Sequence, residues 1–170
     1  AVAENDPEAL HLELLLTILA EGASSRLYQE LVETERAALD VNAWRSGGFS
    51  PGVAYFAITL PPGGEPSAVE AQLLEMLEDV VDNGISASEL EKARNLHLAA
   101  FWRALQTIDG KASALGNYEV FTGDYENLFA VPERLAAASA ADLQSIAAKV
   151  FRRNNMTVGV LRAPDDGGAE

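Results

Sequence analysis

The sequence has no cysteine, only two histidines and few basic residues. Without cysteine, the 170-residue chain forms no disulfide and no cysteine-ligated zinc site, although the compartment stays open because many periplasmic proteins also lack cysteine. Lys and Arg number 12 against 26 Asp and Glu, which gives a net charge of −14. Phosphate backbones and anionic lipids both attract clustered basic residues. The composition therefore excludes nucleic acid as a partner and disfavours anionic membranes.

Long apolar runs are also absent from the sequence. No stretch approaches the roughly 20 apolar residues of a membrane span, so we predict no membrane insertion. The chain opens Ala1-Val2-Ala3-Glu4, with neither an initiator Met nor a signal peptide, and we expect it to be part of a longer polypeptide. Its composition is that of one globular domain, expected over residues 1–162, followed by a polar C-terminal tail over 163–170.

Hydrophobic periodicity predicts an α+β fold. Two runs with period-two alternation, 41–46 and 54–60, predict an antiparallel hairpin, and the alternation over 156–161 predicts a closing strand. The helical periods are bounded by capping signals. They predict helices from Asp6 to Gly22, over 25–34, from Ser67 to Gly84, from Ser86 to Gly110, over 112–121, over 126–129 and from Ser139 to Val150. The expected architecture is two-layered, with the helices packed on one face of an antiparallel sheet.

The first two predicted helices meet at a tight turn. Gly22 supplies the left-handed residue that favours a helix C-terminus. Ser24 or Ser25 is predicted to cap the following helix by accepting a hydrogen bond from one of its free N–H groups. Arg26 is predicted to fix the turn by ion pairing.

The same stretch resembles a known peptidase family. Residues 22–32, G-A-S-S-R-L-Y-Q-E-L-V, are similar to the G-x-x-S-R-L-y-q-x-L signature of the pitrilysin/insulinase family of zinc metallopeptidases, which includes mitochondrial processing peptidase. Residues 84–94 resemble the family's G-i-t-x-x-E-L-x-x-A-k motif, and shorter matches continue in the family's order to residue 158. The resemblance is to the C-terminal, non-catalytic half of bacterial members and covers nearly the whole chain.

This resemblance implies both a fold and a set of partners. The family's half-domain is α+β but has one or two strands before its first helix, so the sheet here is expected to lack its first strand and to expose an unpaired edge. Zinc is implied in a separate catalytic half, on the same chain or on a heterodimer partner, and an extended peptide is implied as the substrate. For bacterial relatives of this kind a periplasmic location is implied, with a cytoplasmic one as the alternative.

Neither histidine can build the family's zinc site within this chain. That site is His-x-x-Glu-His on one helix, where the two His bind the metal and the Glu activates water. His11 is followed by L-E-L-L and His97 by L-A-A-F. We therefore expect no catalytic and no metal-binding residue here. His97 lies on the apolar stripe of its helix and is interpreted as a satisfied, partly buried residue.

The family's non-catalytic half often contributes an Arg and, seven residues on, a Tyr that bind the substrate and help to hold the developing oxyanion. In the register of the signature, those positions are Val32 and Leu39 here, and neither is polar. The departure argues against a direct catalytic role. Two functions stay open, a half-domain that closes the peptide chamber and helps to hold substrate, or a catalytically dead structural or assembly subunit. In either case this chain alone is predicted to be inactive.

Three residues on the predicted hairpin, Trp44, Arg45 and Tyr55, are the candidate peptide contacts. The resemblance implies that one face of the sheet looks into the peptide chamber, and these side chains are carried by the hairpin. The alternative interpretation is ordinary packing on the face of the sheet.

Overall fold

The computed structural model describes residues 1–162, and the predicted polar tail at 163–170 lies outside the described residues. Within residues 1–162 the helical elements lie on one side of a single β-hairpin. Its strands are β1, Asp40–Arg45, and β2, Ala54–Thr59. The α-helices are α1 Ala9–Ala20, α2 Pro66–Asn83, α3 Ala87–Ala104, α4 Ile108–Thr122, α5 Val131–Ala137 and α6 Ala140–Val150. The other helical segments are a π-helix, Tyr28–Thr34, and two 3-10 helices, Tyr125–Ala130 and Arg153–Asn155.

Helix α1 is the centre of the core. Nine of its 12 residues are buried, and Leu12, Leu15 and Leu19 have no exposed surface. The helix contacts α3, α6 and β1. A helix surrounded in this way needs apolar side chains on most of its circumference, as the sequence predicted. It begins later than expected, at Ala9, because Asp6 accepts a hydrogen bond from the Glu8 N–H (2.8 Å) in the turn before it.

The turn after α1 has the predicted glycine but not the predicted cap. Gly22 has a φ of +76°, in the left-handed region. The Ser25 hydroxyl donates to the Gly22 carbonyl (2.8 Å), and the Ser24 hydroxyl accepts from Lys92, so the prediction that either serine caps the next helix is wrong. The helical segment after the turn contacts β1 and is a π-helix, in which the Glu35 N–H donates to the carbonyl of Glu30 (2.9 Å).

Of the three helices predicted to begin at a serine capping signal, α3 and α6 have a capping box. Ser86 and Ser139 each accept from the backbone N–H three residues ahead, and the carboxylate there accepts from the serine N–H in return. Ser67 does not cap α2, because Pro66 occupies the first helical position and Ser67 then lies inside the first turn. No helix among the described residues has the length and apolarity needed to cross a membrane.

The backbone passes close to itself between α3 and α4, and this close approach sets the boundary between the two helices. The predicted long helix ends at Ala104, ahead of Gly110, and Thr107 caps α4 by accepting from the Gly110 N–H (3.0 Å). A Cβ at Gly110 would overlap the Ala104 carbonyl, so glycine is required there. The sequence missed α5, where Pro132 stands in the first turn of the helix rather than ending one.

The sheet of the described region contains two strands, antiparallel and in register from Asp40 opposite Thr59 to Arg45 opposite Ala54. Its inner face packs on α1, and Val41 is only 2% exposed. The predicted closing strand at 156–161 is wrong, because no described strand lies beside that segment to accept and donate ladder hydrogen bonds. The predicted α+β class with an antiparallel sheet is confirmed, in a mostly helical form.

Candidate functional site

The outer face of the hairpin is a sheet surface that no described helix covers. Period-two alternation turns every second side chain of β1 and β2 away from α1. The outward residues of both strands are exposed throughout, whereas the inward ones are buried or half-buried. This face is therefore open to a partner or a ligand.

An aromatic pair dominates this outer face. Trp44 and Tyr55 are cross-strand neighbours, and their rings stack with centroids 5.2 Å apart and planes 16° apart. They remain 48% and 42% exposed, so the stacking leaves much of both rings in solvent. Cross-strand aromatic pairs hold each other's side chains in one orientation, which gives this surface a defined shape.

The apolar surface continues beyond the ladder into the loop between the strands. The Ser46 N–H donates to the Val53 carbonyl (2.9 Å), which keeps Val53 on the same face as Tyr55. In the middle of this loop Phe49 packs against Phe121 of α4, with ring centroids 5.0 Å apart. Val53 and Phe49 are both exposed. The loop thus adds Val53 to the outer face and contacts α4 through Phe49.

Arg45, the third predicted contact, lies on the opposite face of β1. Its Nη2 contacts the carboxylates of Glu13 on α1 (2.5 Å) and Glu4 (2.8 Å), and its side chain is 6% exposed. Burial lowers the pKa of Arg45, but the two carboxylates outweigh this effect and the net shift is upward. Trp44 and Tyr55 are thus brought together, while Arg45 anchors the strand beneath them to α1.

The segment before α1 reinforces this anchor. The Glu4 N–H donates to the Gly48 carbonyl (2.9 Å), so the same residue binds the hairpin loop through its backbone and Arg45 through its carboxylate. A Cβ at Gly47 would overlap the Glu4 carboxylate. The hairpin therefore rests on the ion pairs of a buried arginine with two partly exposed carboxylates and on backbone contacts.

Arg26 fixes the turn after α1, as predicted. Its guanidinium donates to both oxygens of Glu89 (2.6 and 2.9 Å), to Asp79 (3.2 Å) and to the carbonyl of Gly84 (3.2 Å). The Arg26 hydrogen bond, helped by hydrogen bonds from Ser86, lowers the pKa of Glu89 to about 2. The cluster joins the segment after this turn to α2 and α3, so its role is structural.

His97 is satisfied inside the helical layer. The Thr17 hydroxyl donates to Glu21 (2.8 Å), and the same oxygen lies 2.9 Å from His97 Nε2. Because that hydroxyl has a single proton, His97 Nε2 is the donor. The interpretation of His97 as a satisfied, partly buried residue is confirmed. Residues 1–162 contain no group of three or more His, Cys, Asp or Glu that could hold a metal ion, so the residues present do not fit zinc.

Val32 and Leu39, which the resemblance aligns with the family's substrate-binding Arg and Tyr, are aliphatic residues without polar side-chain groups. Val32 lies on the π-helix and packs partly buried against the core. Leu39 precedes β1 and is 58% exposed, with its N–H donating to the Thr59 carbonyl (2.7 Å). Neither residue can donate a side-chain hydrogen bond to a peptide.

The sequence contains a signal for the two faces of β1 but none for the contact between the hairpin loop and α4. The alternation that predicts β1 puts Arg45 with the inward residues and Trp44 with the outward ones. The two faces of β1 could therefore have been distinguished from the sequence. The contact of Phe49 with Phe121 could not be predicted, because a loop's contact with a helix about 70 residues away leaves no local pattern.

Solved structures share this fold. A candidate zinc protease from Bordetella pertussis Tohama I has a TM-score of 0.79 and 30% identity over 91% of this chain and 85% of that chain. The inactive peptidase domain of a candidate zinc protease from Bordetella parapertussis has a TM-score of 0.83 and 31% identity, over 94% and 86%. A protease from Helicobacter pylori has a TM-score of 0.82 at 22% identity, over 91% of this chain and 37% of that one, and shows the fold alone.

A sequence family accounts for the same region. The profile described as the peptidase M16 inactive domain matches residues 2–96, which is more than half of the chain and includes the turn, the hairpin and most of α3. No individually curated protein matches the sequence. The family profile and the two Bordetella structures agree, and they confirm the resemblance drawn from the signature at 22–32. The chain belongs to the peptidase M16 family of zinc proteases, as an inactive domain.

Proposed function

We propose that this domain closes the peptide chamber of an M16 zinc protease and helps to hold the extended substrate. The observation that carries the proposal is the exposed Trp44–Tyr55 pair on an uncovered sheet face. Tyr and Trp offer large, rigid contact areas at low cost in side-chain entropy, and they tolerate many peptide sequences. The Arg45 ion pairs hold the strand beneath the pair in place, as a binding surface requires.

The proposal assigns the chemistry to another domain. Hydrolysis would depend on zinc in a catalytic M16 domain, on the same polypeptide or on a heterodimer partner, since the residues of this domain do not fit a metal site. The contribution of this domain is contact with the peptide and exclusion of large folded proteins. A periplasmic location is part of the proposal. Its support is the match to the periplasmic protease PqqL of Escherichia coli, which at 15% identity is a likeness of fold.

A second candidate function is that of a structural or assembly subunit without a peptidase role. The observation that favours it is the aliphatic pair Val32 and Leu39, at the positions where the family's substrate-binding Arg and Tyr are expected. On this reading the exposed aromatic pair would contact a neighbouring subunit instead of a peptide.

The test is an assay of this domain combined with its catalytic M16 domain, using a quenched fluorescent peptide. We expect cleavage to need both domains and to stop when a chelator is added. Trp44→Ala should raise KM about five-fold with little change in kcat, because a peptide contact made equally in the ground and transition states affects binding alone. Trp102→Ala is the matched control, since Trp102 is 54% exposed on α3. Cleavage by the catalytic domain alone at the rate seen with both domains would favour the structural subunit. Cleavage that needs both domains but is unaffected by Trp44→Ala would refute the peptide contact at this face.

A further inference from the structure

We propose that the outer face of the hairpin selects extended peptides in which a basic side chain stands about four residues from a large apolar one. This inference rests on the proposed function and names its substrate class. It follows from the order of side chains along the face, which changes from acidic to aromatic to aliphatic.

The outward positions form four cross-strand rows. In chain order of β1 they are Asp40 with Thr59, Asn42 with Ala57, Trp44 with Tyr55, and Ser46 with Val53. Asp40 is the one charged residue among these eight positions, which all lie in the described region. Its carboxylate accepts from the Asn42 side-chain amide (2.6 Å), which orients it, and it remains exposed.

The spacing of the rows sets the spacing of the ligand. Asp40 and Trp44 are four residues apart on one strand, or about 13 Å at the rise of an extended chain. An extended peptide lying along the face advances by the same rise. A Lys or Arg above Asp40 therefore places the fourth residue along the peptide above the Trp44–Tyr55 pair. Between these points the small Ala57 leaves room for the intervening peptide.

Charge decides which peptide is favoured. The only arginine of β1 is turned inward and paired with two glutamates, so no basic side chain of the eight outward positions offsets Asp40. The whole chain carries −14, which attracts cationic ligands and repels acidic ones. The same charge disfavours a second copy of the domain on this face. An aromatic face also accepts a cation that lies over its rings.

The experiment measures binding of three ten-residue peptides to the chain carrying Trp102→Phe, so that Trp44 alone reports by fluorescence. The first peptide has Lys at position 3 and Phe at position 7, the second has Glu in place of Lys, and the third has Lys next to Phe. We expect the first to bind about five-fold more tightly than the second and about three-fold more tightly than the third at low salt.

Asp40→Asn should reduce the preference for Lys over Glu to about two-fold or less. Glu91→Gln, an exposed acidic residue on α3, is the matched control and should leave it unchanged.

Two failures are distinguishable. If all three peptides bind equally and Asp40→Asn changes nothing, the selection is refuted while peptide holding by this face stands. If no peptide changes Trp44 fluorescence and none is displaced in a competition assay by dye-labelled peptide, the proposed function itself fails at this face. Equal loss of preference in Asp40→Asn and Glu91→Gln would assign the effect to net charge and also refute the role of Asp40.

Discussion

Two neighbouring residues of β1, Trp44 and Arg45, have opposite environments and different consequences for the domain. Arg45 points toward α1, where its side chain is 6% exposed and contacts two carboxylates. Trp44 points away, is 48% exposed and touches mainly its cross-strand partner Tyr55. The inner face of the hairpin thus holds the strands to α1, whereas the outer face is exposed to solvent. One strand can have both environments because adjacent side chains point to opposite faces of the sheet.

The largest expected loss of stability follows from a substitution on the inner face of the hairpin. Arg45→Ala should lower the free energy of unfolding by about 3 kcal/mol, because it leaves the carboxylates of Glu13 and Glu4 beside each other without a cation. Urea denaturation measured by circular dichroism gives this number. The matched control is Arg103→Ala, an exposed arginine on α3, which should change the value by less than about 0.5 kcal/mol. Equal losses in both variants would break the distinction between the faces.

The Arg26 cluster also stabilises the fold, and its loss should lower the free energy of unfolding by less than the loss of Arg45. The size of this decrease should depend on pH. Arg26→Ala should cost about 2 kcal/mol at pH 7, since it removes charge-assisted hydrogen bonds to a partly exposed glutamate. The folded-state pKa of Glu89 is lowered from 4.5 to about 2, so the pair's contribution is complete above pH 4.5 and is lost as the pH falls toward 2. The stability gap between wild type and Arg26→Ala should therefore be constant from pH 7 to 5 and narrow below 4.5.

A double-mutant cycle separates this ion pair from helix capping. Glu89→Gln keeps a side chain that can still accept within the capping box of α3 but removes the charge that faces Arg26. In the Glu89→Gln background, Arg26→Ala should cost clearly less than in the wild type, and its cost should not depend on pH between 5 and 3. A cost that stays at about 2 kcal/mol in that background would mean that Asp79 and the Gly84 carbonyl, not Glu89, hold the arginine.

The two faces of the hairpin also show how far the sequence could be interpreted. Alternation correctly predicted both strands and their antiparallel pairing, because a period of two is a local property of the extended chain. It could not identify the partners of Arg45, since Glu4 and Glu13 are 41 and 32 residues away and come together only when α1 packs on the sheet. The grouping of Arg45 with Trp44 and Tyr55 as peptide contacts came from proximity along the chain rather than from the face.

Among the helices, too, some capping motifs in the sequence predicted the observed hydrogen bonds and others did not. The capping boxes at Ser86 and Ser139 were predictable because all their groups lie within four residues. The same motif at Ser67 was overridden by the proline beside it, and the serines of the first turn bind Gly22 and Lys92 instead of capping. Motifs identify groups that can bond, whereas the fold decides which of the available partners is nearest.

The outer face should tolerate substitution better than the inner one. Trp44→Ala and Tyr55→Ala should each lower the free energy of unfolding by about 1 kcal/mol, and their coupling energy in a double-mutant cycle should be about 0.5 to 1 kcal/mol. These losses are small because both side chains already expose much of their surface. Thermal denaturation of the wild type, the two single variants and the double variant measures both the individual losses and the coupling energy. A loss above 2 kcal/mol for either variant would show that the pair is structural and would remove the main support for a peptide contact.

The smallest effect is expected in the segment 156–161, which has the alternation of a strand but no partner strand among residues 1–162. Val160 is 52% exposed, so Val160→Asp should change the free energy of unfolding by less than about 0.5 kcal/mol. The matched comparison is Val41→Asp on the inner face of β1, where a carboxylate would be buried against α1 and the loss should be several-fold larger. If Val160→Asp instead costs more than 1 kcal/mol, the segment packs on the domain in solution. The sheet would then have a third strand, and the outer face bounded by β1 and β2 would be wider than the four rows that set the spacing of the ligand.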